Sequence, residues 1–367
     1  SYKPHTQPLT TRMGTKTPLA IACACLPLLT APAWSAGESL AVEEVIVTAA
    51  KREQRLQDYA GALSVVNNFD GVKNIGDIAA QVPGLNIVDA GPRNPTGLII
   101  RGLRMDEIGS GDLGGDGSLV ASYVDNIPLQ GYFVPPSFSL KDLQQIEVVR
   151  GPQGTLYGNA SVGGLIRYIT NKPDLEKYSV RTSAEISHTK HSGDLSYDTD
   201  LVVNTPLIDN TLGLRLLLGK TDNAGFIDNP YLLSGEQEDI NDDQTKQARI
   251  SLLWQASDNF ALNSSYHYQK INVGDRQAAN KNFTDDDYTA SSRYLQPMKG
   301  ELHLASIDAS YDMDFATLTA SVNHYDYAHN ERADQTDLYF GLDAAYYENS
   351  YYSPYEQFSA YNASTLD

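Results

Sequence analysis

From Tyr178 onward the chain alternates apolar and polar residues in stretches of about ten, the period of two that belongs to β-strands. In Leu212 to Lys220 one face carries Leu212, Leu214, Leu216 and Leu218, while Gly213, Arg215 and Gly219 face the other way and Leu217 breaks the rule. Ala248, Ile250, Leu252 and Trp254 alternate with Arg249, Ser251 and Gln255; Phe260, Leu262, Tyr266 and Tyr268 alternate with Asn263, Ser265, His267 and Gln269. Ala316, Leu318, Ala320 and Val322 repeat the theme. Short turns at Ile208-Asp209-Asn210, Ser257-Asp258-Asn259 and Asp312-Met313-Asp314 contrast with long polar stretches from Asn223 to Asp243, Asn272 to Gly300 and Arg332 to Glu356. Short turns at one end and long loops at the other are expected of outer-membrane barrels. Alternation alone also suits a soluble β-sandwich.

Between about Leu40 and Pro173 the texture differs. Short apolar strands are expected at Gly97 to Ile100, Leu119 to Val124 and Ile146 to Val149 in a glycine-rich background, which suggests a compact α+β domain. Asn74-Ile75-Gly76-Asp77 before Ile78-Ala79-Ala80 predicts a capped helix start, with Pro83-Gly84 ending it. A second short helix or turn fits Ser139 to Gln145.

The segment from Arg12 to Gly37 has basic residues at Arg12 and Lys16, an apolar stretch from Leu19 to Leu29, and small residues at Ala31-Pro32-Ala33 and Ser35-Ala36-Gly37. It reads as a secretory signal peptide, with Met13 as the natural start. An anchor helix is disfavoured by Pro27 and Pro32, and Cys23 and Cys25 lack the setting of a lipoprotein. Beyond residue 37 no apolar run approaches the eighteen or so residues of a spanning helix, so any membrane role requires a barrel.

Composition narrows the chemistry. Both cysteines, Cys23 and Cys25, lie in the leader, so disulfides, thiolate metal sites and cysteine nucleophiles drop out of a processed chain. The net charge of -19 repels nucleic acid. The chain has 23 Tyr against 2 Trp, and tyrosines near strand ends, Tyr266, Tyr268, Tyr311, Tyr325 and Tyr327, suit an interfacial girdle. Gly151 to Gly158 lacks the Gly-Lys-Ser/Thr ending of a phosphate loop. Asp112, Asp116 and Asp285-Asp286-Asp287 lack EF-hand spacing and read as solvated loop carboxylates. Neither His188 with His191 nor His324 with His329 has the spacing of a helical zinc site, and the first pair would fall on opposite strand faces. No nucleophile-base arrangement stands out, so neither an enzyme nor a bound cofactor or metal is expected.

Glu43-Glu44-Val45-Ile46-Val47-Thr48-Ala49 is short and β-prone. Such a segment can add as an extra strand to a partner's sheet edge, or it can simply be a first strand. It resembles the TonB box of TonB-dependent outer-membrane receptors. Ile78 to Leu85, Ile99-Ile100-Arg101-Gly102, Tyr123 to Pro128, Ile146 to Gly158 and Gly163 to Thr170 follow in the order of that family's plug domain. The likeness covers Glu43 to Pro173; beyond it only barrel texture is shared.

The resemblance implies an α+β plug domain inside a transmembrane antiparallel β-barrel of about 22 strands, of which about seven fall here. The count predicts a fragment. Expected segments are upstream residues and signal peptide at 1–37, box and linker at 38–58, plug at 59–173 and barrel strands at 174–367. The implied partners are the periplasmic TonB protein, outer-membrane lipid and an extracellular small ligand such as a ferric siderophore, with vitamin B12, haem and oligosaccharide as alternatives. Glu44, Val45, Ile46, Val47, Thr48 and Ala49 would contact TonB. Arg101 and Arg150 match plug arginines that pair with barrel glutamates, although surface turn positions would also suit them; Glu147 is a local candidate partner for Arg150. Arg93, Asn94, Gln130, Tyr132 and Phe133 are candidate ligand contacts at plug apices. A secreted, non-transporting binding or adhesion protein is the competing class.

Overall fold

The computed structural model describes residues 44–88, 97–104, 119–129, 137–158, 161–313, 315–334 and 356–363. The expected signal peptide and the candidate ligand contacts Arg93, Asn94, Gln130, Tyr132 and Phe133 lie outside the described residues.

Two short strands, β1 (Ile46–Val47) and β2 (Gln54–Arg55), form an antiparallel pair. After β3 (Ala62–Val66) comes α1 (Ile75–Gln81), whose start is fixed as its sequence predicts. The Asn74 side chain accepts from Gly76 and Asp77 amides, and Asp77 reaches back to the Asn74 amide at 3.1 Å, a complete capping box. Then follow β4 (Leu85–Val88), β5 (Gly97–Ile100), β6 (Leu103–Arg104), β7 (Val120–Val124), β8 (Ile127–Leu129), β9 (Leu143–Arg150), the one-turn α2 (Gly154–Tyr157) and β10 (Gly164–Thr170). The central sheet runs β3-β9-β10-β7-β8, parallel only between β10 and β7. Strands β9 and β10 are covered on both faces: Ile146, Val148, Val149, Leu165 and Ile166 are fully buried. Ser139 to Asp142 is not helical; it leads directly into β9.

Eight antiparallel strands form the second sheet in strict sequence order: β11 (Ser179–Ser187), β12 (Ser196–Ile208), β13 (Leu212–Asn223), β14 (Asp243–Ser257), β15 (Phe260–Val273), β16 (Met298–Met313), β17 (Ala316–Asp334) and β18 (Glu356–Ala363). The short turns all fall at one end and the long connections at the other, as the sequence predicts. Most strands outrun the expected ten residues, up to 19 in β17. Strand pairing continues beyond the alternating zone into stretches that are polar on both faces, where the period gives no signal.

The sheet is inside out relative to a soluble protein. Along β14 and β15 the buried face is polar: Gln247, Arg249, Ser251, Ser265, His267 and Gln269 are each at most 9% exposed. The opposite face shows Leu218, Ile250, Trp254 and Tyr266, all at least 43% exposed. Leu217, the exception to the pattern, turns inward and is buried. Tyr266 and Tyr311 face outward, as a girdle requires, but Tyr325 and Tyr327 do not. Val322 and Leu318 occupy the outward parity of β17, so odd-numbered Tyr325 and Tyr327 point inward and pack against the plug.

Candidate functional site

The N-terminal box is docked on the plug rather than free. Val47 and Ala49 are fully buried, Val45 accepts the Leu56 amide at 2.9 Å, and β2 occupies one edge of the box. Plug side chains hold its other backbone groups. Gln145 Nε2 donates to the Ile46 carbonyl at 3.0 Å, the Thr48 amide donates to Glu147 Oε1 at 2.7 Å, and the Tyr157 hydroxyl donates to the Ala49 carbonyl at 2.9 Å. Burial pushes the Tyr157 phenol up to about 12, which keeps it a donor at any physiological pH. At the box's N-terminal end Glu44 pairs with Arg55 at 3.3 Å; at its other end Lys51 Nζ sits 4.6 Å from the Tyr157 ring centroid.

Beneath the box lies a buried ion pair. Glu147 on β9 faces Arg167 on β10 in direct register, and Arg167 donates from one nitrogen to Glu147 Oε2 and to Thr48 Oγ1, both at 2.8 Å. The second terminal nitrogen reaches the Asp125 carbonyl at 3.2 Å. Buried charges persist only where paired and hydrogen-bonded, and both side chains here are at most 4% exposed. Glu147 is therefore Arg167's partner and not Arg150's. Residues three apart on a strand point to opposite faces, so the spacing of 147 and 150 argued against that pair from the start.

Arg101 and Arg150 come together without a carboxylate. A Cβ built on Gly84 would lie within 4.0 Å of both arginine stems, and Arg150 donates to the Pro83 carbonyl at 2.8 Å. Arg101 is exposed and takes the left-handed conformation. Among the described residues neither guanidinium has an anionic partner.

A different set of ion pairs ties plug to wall. Asp142, in a left-handed turn before β9, has a side chain 1% exposed and accepts from Arg215 Nε at 2.9 Å, Arg249 at 2.5 Å and Asn171 at 3.0 Å. Burial alone would raise its carboxyl, but the hydrogen bond from Arg215 and the charges of Arg249 and Arg215 outweigh it and hold Asp142 below the ordinary carboxylate range. Lys141 pairs with Asp198 and Asp200, and the Asn126 amide donates to Asp308 at 2.9 Å. Gln269 bridges the Ser137 carbonyl and the Ser139 amide at 2.5 and 2.9 Å. Phe138 wedges between Tyr168 and His267, and Leu302, Leu304 and Tyr327 of the wall join the plug's own core. The inward arginines of β13 and β14 were visible in the alternation; that they converge on one aspartate needed the fold. No group of three or more His, Cys, Asp or Glu gathers among the described residues.

A mixed-sheet domain bolted to an inverted antiparallel sheet is the architecture of a plugged β-barrel. Residues 57–165 match the TonB-dependent Receptor Plug Domain. The iron-regulated outer membrane virulence protein of Vibrio cholerae serotype O1 is 30% identical over 178 residues, covering 46% of this chain and 26% of that protein. The pesticin receptor of Yersinia pestis is 31% identical over 135 residues, 35% of this chain and 19% of its own. The crystal structure of the ferric citrate transporter FecA in the unliganded form aligns with a TM-score of 0.62 at 18% identity, covering 76% of this chain and 41% of that one. The matched stretch thus spans about a quarter or less of the curated relatives' own length. Residues 57–165 are thus a plug domain of the kind found in TonB-dependent receptors, and the curated proteins similar to this chain are receptors and outer-membrane proteins of Gram-negative bacteria.

Proposed function

We propose that this chain is the plug-bearing part of an energy-coupled importer whose cargo is a ferric siderophore. The docked box is the observation behind the proposal. A partner that binds by strand addition needs a free edge, and here β2 takes one edge while Gln145, Glu147 and Tyr157 hold groups on the other. The box must leave the plug before the periplasmic TonB protein can pair with Glu44 to Ala49. Ligand held over the plug apices, near Arg93, Asn94, Gln130, Tyr132 and Phe133, biases that release, and pulling then rearranges the plug. Arg101 and Arg150 serve as plug-wall contacts that reset with it. Supporting the cargo assignment are the names of the similar proteins, iron-regulated in one case and a ferric citrate transporter in another.

The test uses the full-length receptor in cells lacking the native gene. Deleting residues 43–50 is expected to abolish uptake of radiolabelled ferric siderophore while leaving surface binding intact; uptake at the wild-type rate would refute the coupling role. Parallel arms with vitamin B12, haem and oligosaccharide decide the cargo.

A further inference from the structure

The connections that follow β13 and β15 pack against each other. Bridges join Asp228 to Thr289 and Asn229 to Gln237, and the Asn229 side chain donates to the Ser292 carbonyl and hydroxyl at 3.0 and 2.8 Å. Ile227, Ile240 and Ala290 bury against Phe226 and Leu295 in a small core. Between residues 275–296 and the end of β17 lies a half-open cavity of about 160 Å³.

Asp275 lines that cavity and is only 2% exposed. Its Oδ1 accepts the Arg276 amide at 2.6 Å, but its Oδ2 is buried with no partner among the described residues. The Arg276 and Gln296 amides face this carboxylate, but a buried anionic oxygen that closes no hydrogen bond of its own is costly. The adjacent cation does not relieve it, because the Arg276 guanidinium turns to Glu331 at 2.7 Å. Asp334, the other carboxylate in the lining, already accepts the Arg293 and Tyr294 amides at 2.5 and 3.1 Å. The rest of the lining is neutral: Ser292, whose oxygens each accept one bond from Asn229, Gln296, whose Oε1 accepts the Asp334 amide at 3.0 Å, and the methyl groups of Ala278 and Ala290; each of these oxygens keeps a second lone pair.

We infer that this cavity binds the primary ammonium end of a small alkylamine, with Asp275 as its counter-ion. An ammonium brings one positive charge and three donors, which match one unpaired anionic oxygen and neighbouring neutral acceptors, while the alanine methyl groups take the alkyl stem. A divalent metal ion fits poorly, since it needs six or more oxygens with charge to balance it, and no cluster of three acidic or histidine ligands is present among the described residues. The volume is too small for a whole drug-sized ligand, for which pockets run from about 300 Å³ upward. Burial pushes the Asp275 carboxyl up to about 6, against the Arg276 and Gln296 amides and the Arg276 charge, with the Asp334 charge reinforcing the rise.

The probe is methylammonium, titrated by calorimetry into the intact receptor in detergent micelles, with tetramethylammonium and magnesium chloride as the comparison arms. Methylammonium is expected to bind saturably, and at least tenfold more weakly to Asp275→Asn than to wild type. Tetramethylammonium has the same charge but no N–H donor, and on the wild-type protein it is expected to bind at least tenfold more weakly than methylammonium. Absence of saturable binding, equal binding of the two ammonium ions, or magnesium binding that depends on Asp275 would each overturn the assignment. Heat-modifiable migration of the variant confirms that it is folded, and the tetramethylammonium arm needs no variant at all.

Discussion

The amide of Thr48 and the carboxylate of Glu147, 99 residues apart in the chain, meet at 2.7 Å, so the box is held by the same side chain that neutralises the buried Arg167. Removing that charge does two things at once. Glu147→Gln weakens the bond to Thr48 and leaves Arg167 buried without its anion, a loss of about 3–5 kcal/mol for a broken buried pair. With Val47→Cys as reporter, buried in the docked box, the rate of thiol labelling is expected to rise at least tenfold in the Glu147→Gln background. Thr48→Val keeps the amide bond and loses only the hydroxyl contacts, so its effect is smaller, about 1 kcal/mol. Equal labelling rates in all three backgrounds would show that Glu147 does not hold the box.

Asp142 is the corresponding lock between plug and wall, and its pH dependence has a fixed sign. Its folded-state carboxyl lies below the ordinary carboxylate range, so it contributes stability that is present above the unfolded pKa, about 4, and is lost as pH falls through the lower folded value. Plug retention in urea is therefore expected to be flat across neutral pH and to drop on acidification below about 4. Asp142→Asn should show that loss already at pH 7, by about 3–5 kcal/mol, because Arg249 stays buried and unpaired. A urea midpoint for Asp142→Asn equal to wild type at pH 7 would remove Asp142 from the lock.

Much of this architecture was legible in the chain because strands write their faces into every second residue. Leu212 to Leu218 and Ala248 to Trp254 gave both the sheet and its sidedness, and the turns followed from the gaps between them. The Asn74 cap was equally local. What the chain did not yield is non-local. Asp142 meets Arg215 and Arg249 from 73 and 107 residues away, and nothing in the spacing of three separate segments names that convergence. The docking of the box was hidden for the same reason: Ile46 to Ala49 reads as a free β-prone tether until Gln145, Glu147 and Tyr157 are placed beside it. Parity is the one signal that was present and unused, both for Tyr325 and Tyr327 and for Glu147 against Arg150.

The junction of β9 and β10 depends on one glycine. Gly164 has φ +140°, and a Cβ there would lie 2.2 Å from the Val149 carbonyl oxygen. Neither strain can be relieved by a side-chain rotation, since the obstacle is backbone. Gly164→Ala is expected to destabilise the plug by more than about 1 kcal/mol and to make residues 57–165 sensitive to protease in isolated outer membranes, while Gly71→Ala, at φ +75° but with nothing within 4 Å, should be milder. Equal protease resistance in the two variants would mean that the close approach at Gly164 is not felt.

The inverted sheet makes the sharpest demand on its surroundings. Arg249 and Ile250 are neighbours on β14, one 3% and the other 45% exposed, and a barrel in a bilayer turns that exposed face to lipid and not to water. In a soluble β-sandwich, Ile250→Arg would be an improvement, since it replaces an exposed apolar side chain with a solvated one. On the lipid face of a barrel it costs about 2–4 kcal/mol near the bilayer midplane and progressively less toward the interfaces. The full-length receptor, folded into phosphatidylcholine vesicles, is therefore expected to show a lower urea midpoint for Ile250→Arg than for wild type, with Lys299→Arg, near the long-connection end of β16, as a neutral control. A midpoint at or above the wild-type value for Ile250→Arg would mean that this face meets water, and the sheet would then have to be reassigned to a soluble sandwich.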